Sequence, residues 1–201
     1  MAAAAALFAE KGLDGTSVEE IARRAGANKA MISYYFRGKK NLYAEILDET
    51  FARITGPLAA LRASSLPADR RLRRFIEIFG ELHAGEPSFS VMLLRELLAG
   101  GEHLDERIFP RFLEVFSDLS EIIRQGVREG AFRRVDPFLT HLGIIGSLVF
   151  FFATTRARNR MIAEHRLPVP IPSPDAFVQH ISEFMTRGLA AGDAPSHEGR
   201  R

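Results

Sequence analysis

Apolar residues recur at helical spacing along almost the whole of this 201-residue chain, and that periodicity constrains its fold more than any other feature. The two-residue alternation of strands is weak throughout, while Gly and Pro mark the breaks. The pattern predicts an all-α protein. An Ala-rich first helix stops at Gly12. A second spans 18–25, where Val18, Ile21, Ala22 and Ala25 form an i, i+3, i+4, i+7 stripe. Ser17 and Glu20 make a capping box for it, and Gly26 ends it. Asn28 caps a third helix ending near Phe36. A fourth runs from Lys39 to about Thr55, where Gly56-Pro57 is expected to stop it. Longer helices are predicted at 68–84, 88–99, 104–129, 137–160 and 174–190. "LPVPIPSP" is expected to be extended. The division follows: 1–45 a small N-terminal domain, 46–190 a helical bundle, 191–201 a disordered tail with little to bury.

The second and third helices, joined by Gly26-Ala27-Asn28, have the form of a helix-turn-helix. With Ile32 and Phe36 facing inward, the third helix turns Lys29, Ala30, Ser33 and Tyr34 outward, with Met31 and Tyr35 at the margins. Small Ala30 and Ser33 permit close approach to a major groove, while Lys29 and the tyrosines supply polar contacts. Charge agrees. The chain has 27 Lys+Arg against 25 Asp+Glu. Between Ile21 and Lys40, however, stand Arg23, Arg24, Lys29, Arg37, Lys39 and Lys40 and no acid. Such a patch fits a polyanion.

These residues carry a resemblance. "FAEKGLDGTSVEEIARRAGANKAMISYYFRGKKNLYAEIL", Phe8 to Leu47, is similar to the DNA-binding domain of the tetracycline-repressor (TetR) family. The matching elements are "LFAEKG", "TSVEEIARRAG", "KAMISYYF" and the Phe36, Lys39, Leu42 spacing. The resemblance implies that Ser17, Tyr34, Tyr35 and Lys39 contact phosphates. It also implies that Lys29, Ala30, Met31 and Ser33 reach base edges. Position 33 is commonly Tyr in the family and is Ser here, which shifts the expected groove contact toward Tyr34. Family members usually carry extra residues before helix one. Here the helix starts at the first residue, so a truncated start is an expectation.

The rest of the chain resembles the family only in kind, as a variable helical bundle. The resemblance implies a homodimer on a double-stranded DNA operator and release by a small-molecule effector. "FLTHLGIIGSLVFFFATTRA" and "DAFVQHISEFMTRGL" are the candidate dimer helices, through Leu142, Ile145, Gly146, Val149, Phe150, Phe177, Ile181, Phe184 and Met185. The first is apolar nearly all round, more than one flank can cover. Phe75, Phe79, Met92, Phe109, Phe112 and Phe116 are candidate effector-pocket residues, with Arg95, Glu96 or His141 as polar contacts; an ordinary core is the alternative.

Other classes find less support. The chain has no cysteine, hence no thiolate nucleophile, and no Gly-rich phosphate loop. His83, Glu86 and His103 match no metal spacing. No cofactor or metal is expected, and no enzyme; a helical protein-interaction module remains the rival. The apolar run from Leu142 to Thr154 is shorter than the ~20 residues of a membrane span. The start lacks the basic opening of a signal peptide. The expected setting is cytoplasmic.

Overall fold

The computed structural model describes residues 1–104, 106–166 and 168–191. Ten helices run in chain order: α1 (Ala2–Lys11), α2 (Val18–Ala25), α3 (Lys29–Phe36), α4 (Lys39–Ala63), α5 (Ala68–Gly85), α6 (Pro87–Leu98), α7 (Phe109–Arg128), α8 (Pro137–Ala153), α9 (Thr155–Ala163) and α10 (Pro174–Leu189). The fold is all-α. The single β feature among the described residues is an isolated bridge, Phe132 to Ala190, which ties the end of α10 to the α7–α8 connection.

Local chemistry sets the N-terminal turns. Ser17 Oγ accepts from the Glu20 N–H at 3.1 Å, and Asn28 Oδ1 accepts from the Ala30 N–H at 2.8 Å. Gly26 sits in the left-handed region with φ 62°, which lets the Ala27 N–H reach the Ala22 carbonyl at 2.9 Å and close α2. Leu7, Phe8, Ile21, Ile32, Leu42 and Leu47 are buried together, so α1 to α4 share one core.

The predicted boundaries differ from the observed ones at three places. First, α4 continues through Gly56-Pro57 to Ala63. Proline there removes a single N–H donor, and Gly56 before it has no Cβ to clash with the ring. Leu58 and Leu61 are buried and hold the last turns on the bundle. Second, α7 starts at Phe109 rather than 104. Gly100 and Gly101 both have positive φ, and His103 is drawn back onto Glu96 of α6, so this segment is a loop. Third, the expected 137–160 helix is two helices bent by 53°. Thr154 and Thr155 hydroxyls donate to the Phe150 and Phe151 carbonyls, the side-chain competition that bends helices.

In the bundle α5 is central, packed by α4, α7, α8 and α10, while α6 lies between α1 and α8. Gly126 shows how close the packing is: a Cβ there would fall 2.0 Å from the Phe132 ring. Residues 168–173 of "LPVPIPSP" have no regular structure, and its last proline, Pro174, opens α10. No single helix among the described residues is long and apolar enough to cross a membrane. Of the tail expected at 191–201, Ala191 is described and its N–H donates to Ala131 O at 3.0 Å; the rest lies outside the described residues.

Candidate nucleic-acid interface

The interface is built on α3, a helix of eight residues that buries only Ile32. Ile32 seats the helix on the N-terminal core, and every polar or aromatic residue on its far side is thereby turned outward. Tyr34 is 81% exposed and Tyr35 67%, so both rings stand in solvent side by side. The two rings meet edge to face with centroids 5.3 Å apart. Lys29, Ala30, Met31 and Ser33 are also exposed, as is Ser17 at the start of α2. The structure therefore brings seven of the eight sequence-predicted residues to one accessible end of the molecule.

Lys39 is the exception and needs correction. Its Nζ donates to the carbonyls of Leu13, Asp14 and Thr16 at 2.8, 3.2 and 3.1 Å. An ammonium has three protons, so all are engaged. Lys39 fastens the start of α4 to the α1–α2 turn. Thr16, which the sequence reading passed over, completes that turn: it is buried and its hydroxyl donates to Gly12 O at 2.7 Å.

The basic patch is also smaller than its sequence count. Arg24 makes a two-pronged pair with Glu10 at 2.9 and 3.0 Å. That hydrogen bond holds the Glu10 carboxyl below its ordinary range. Lys29 pairs with Glu19, whose carboxyl is lowered by the same contact. Arg23, Arg37 and Lys40 remain exposed around α3. Arg37 ends α3 in the left-handed conformation, φ 55°, with Gly38 at φ 120° behind it. This turn aims α3 relative to α4.

The reading head is joined to the bundle by more than α4. Tyr43 of α4 is buried; its hydroxyl donates to Met92 O of α6 at 3.2 Å, and its ring meets Phe8 of α1 edge-on at 5.2 Å. Burial and the nearby Glu96 carboxylate raise the Tyr43 phenol well above its usual range. Glu96 is buried and accepts from the His103 N–H at 2.6 Å, with the His103 ring at 3.2 Å. Arg95, expected to face a pocket, points outward to α1 and donates to Glu10 O at 3.2 Å. Arg111 pairs with Asp48 at 3.2 Å and Arg107 with Glu45 at 3.0 Å, so the α6–α7 loop and the start of α7 also grip α4.

The remaining predicted pocket residues are scattered. Phe75, Phe79 and Met92 are fully packed core, Phe109 is 59% exposed, and Phe112 and Phe116 are half-buried. The described residues border several clefts, of which three concern the candidate pocket. One lies between α5 and α10, one between α4 and α5 beside Arg53, and one beside Tyr35, Arg37 and Arg107. None of these three is lined by a predicted pocket residue. His141 meets Phe116 at 5.6 Å, and its buried Nδ1 has no hydrogen-bond partner among the described residues. Burial lowers its pKa.

The predicted dimer residues divide as well. Leu142, Phe150 and Phe184 are 52%, 63% and 62% exposed, and Gly146 beside them is exposed. Ile145, Phe177 and Met185 are half-buried. Val149 and Ile181 are buried within their own subunit, since α8 and α10 pack on each other and on α5, and so are core.

A helix-turn-helix head with an outward aromatic recognition helix, carried on a larger helical bundle, defines a DNA-binding regulator of transcription. The comparisons place it further. The profile "Bacterial regulatory proteins, tetR family" matches residues 1–46 and "Tetracyclin repressor-like, C-terminal domain" matches residues 69–170. The chain is 30% identical over 193 residues to the HTH-type transcriptional repressor NicS of Pseudomonas putida, spanning 93% of this chain and 89% of that one. Among solved structures, the hemolysin II transcriptional regulator HlyIIR superposes with TM-score 0.64 at 28% identity, covering 92% of this chain and 93% of HlyIIR. Bacillus subtilis FadR in complex with stearoyl-CoA shares the fold, with TM-score 0.71 at 20% identity over 93% and 96%. The chain belongs to the TetR family of bacterial transcriptional regulators.

Proposed function

We propose that this protein is a cytoplasmic, homodimeric repressor, with no enzymatic activity, that leaves a pseudo-palindromic operator when a small, mostly apolar effector enters its bundle. The observation that carries the reading is α3: a short helix anchored by buried Ile32 and half-buried Phe36, presenting Lys29, Ala30, Met31, Ser33, Tyr34 and Tyr35 to solvent. Two such helices related by a two-fold axis enter successive major grooves ~34 Å apart, one turn of B-DNA. Ser17, Tyr34 and Tyr35 contact phosphates, and Lys29, Ala30, Met31 and Ser33 reach base edges. The exposed apolar residues Leu142, Phe150 and Phe184 of α8 and α10 support the dimer. That the same fold in FadR holds stearoyl-CoA supports an effector site in the bundle. His141 Nδ1 beside Phe116, without a hydrogen-bond partner among the described residues, is the polar point an effector would meet there.

The test is selection of bound fragments from random duplex DNA, followed by anisotropy titrations at several salt concentrations. The expected result is a two-fold symmetric site bound by a dimer with steep salt dependence. Binding of one asymmetric half-site by a monomer, or no retention on duplex DNA, would overturn the reading; the second outcome favours a helical interaction module.

A further inference from the structure

The helix α9 buries none of its nine residues, and its packing is confined essentially to α8. An isolated helix of that length is marginal in water, because fewer than the ~12–15 residues needed offset its nucleation cost. Yet its direction is fixed. The Arg158 guanidinium lies 4.0 Å over the Phe151 ring, whose own ring stacks on Phe177 of α10 at 3.8 Å and 3°. Arg158 also donates to Phe151 O at 3.0 Å and to the Thr154 and Thr155 hydroxyls. This brace holds α9 out at 53° to α8. Beyond the brace the segment shows Arg160 and Arg166, which share Glu164, and exposed Met161, Val169 and Ile171. Arg156, at its root, lies near enough to lower the Glu10 carboxyl.

We propose that α9 and the proline-rich segment after it form an arm that clasps the other subunit, with Arg160 seated on that subunit's cleft between α5 and α10. The inference rests on the dimer reading above. Two observations choose this occupant. The arm continues directly from the exposed α8 and α10 face that carries Phe150 and Phe184, so a copy covering that face lies beside the arm. The chain also offers a complement of opposite charge: a cleft of about 360 Å³ bordered by Glu77, Glu81, Asp175 and Glu183, with Arg73 and Arg74 offsetting part of that charge. Gln179 on its rim is exposed and marks the landing point.

The chain has no cysteine, so crosslinking is clean. Chains carrying Arg160→Cys are mixed with chains carrying Gln179→Cys and treated with a short bis-maleimide. A covalent heterodimer is expected only with the mixture, and not when Glu49→Cys on α4 replaces Gln179→Cys. In sedimentation equilibrium, Arg160→Glu and Glu183→Lys should each weaken the dimer about two- to five-fold, as exposed ion pairs do. The double variant should recover part of that loss. A dimer that gives no mixed crosslink and ignores both reversals overturns the arm while leaving the dimer intact. A wild-type chain that sediments as a monomer overturns both. If the reversals change operator affinity but not dimerisation, the arm contacts DNA and the proposal fails.

Discussion

Lys39 separates two roles that a sequence cannot tell apart. Its three protons satisfy three carbonyls of the α1–α2 turn, and removing a donor from part-buried acceptors costs about 1–3 kcal/mol. Lys39→Ala should therefore lower the denaturant midpoint, while Tyr34→Phe should leave it unchanged and weaken operator binding in anisotropy titrations. Lowered affinity with unchanged stability for Lys39→Ala would return it to the phosphate contacts. His83 makes a second residue-scale prediction. It is buried, stacks on Phe152, and its Nδ1 lies 2.7 Å from Ser90 Oγ. Burial lowers its pKa from 6.5 to about 4. Because the unfolded chain takes up the proton first, stability is full above about pH 6.5 and falls as pH drops toward 4, by up to about 3 kcal/mol. Urea melts from pH 7 to 4 should show that slope, and His83→Asn should flatten it. An equal slope in the variant would assign the pH dependence to other groups.

Among the elements, α7 is fixed by contact rather than by its own pattern. Phe132 folds back over Gly126 so closely that any side chain there must displace an aromatic ring. Gly126→Ala should destabilise the protein by about 1–3 kcal/mol, the usual cost of overpacking. Gly85→Ala, at the end of α5 where a Cβ meets open space, should be neutral or stabilising by up to about 1 kcal/mol. Thermal melts of both variants decide it; similar shifts would mean that Phe132 moves aside freely. The α8–α9 break and the passage of α4 through Pro57 share this logic. Thr154, Thr155, Leu58 and Leu61 act through partners that a linear pattern does not display.

In the whole molecule, the reading head is coupled to the bundle through α4 itself, through the α6 contacts of Tyr43, Glu96 and Arg95, and through the pairs that Arg107 and Arg111 make with α4. Glu96→Gln keeps an acceptor for the His103 N–H but replaces the carboxylate that lies 3.2 Å from the His103 ring. It should shrink the effect of any effector on operator affinity more than it changes operator affinity itself. An ordinary coupling of ~1–3 kcal/mol is a factor of ~5–150, and linkage requires operator to weaken effector binding by the same factor. Compounds found by thermal shift, titrated with and without operator, test both statements. Full coupling retained in Glu96→Gln would remove this route.

Helical class, the capped α2 and α3, and the outward face of the recognition helix were all legible in the sequence. Each depends on neighbours within one or two turns: Ser17 with Glu20, Gly26 with Ala22, Ile32 against its own polar side. Partnership across the chain was not legible, because it depends on which surfaces meet in space. Periodicity marks Val149 and Phe150 alike as apolar, but only packing against α5 and α10 makes one core and leaves the other exposed. Composition counts Arg24, Lys29 and Lys39 as phosphate-binding charge, but only the tertiary fold brings Glu10, Glu19 and three turn carbonyls within their reach. Phe75 with Phe79, and Phe109 with Phe112 and Phe116, recur at helical spacing, and the fold divides them into core, half-buried and exposed rings because each helix meets different neighbours along its length.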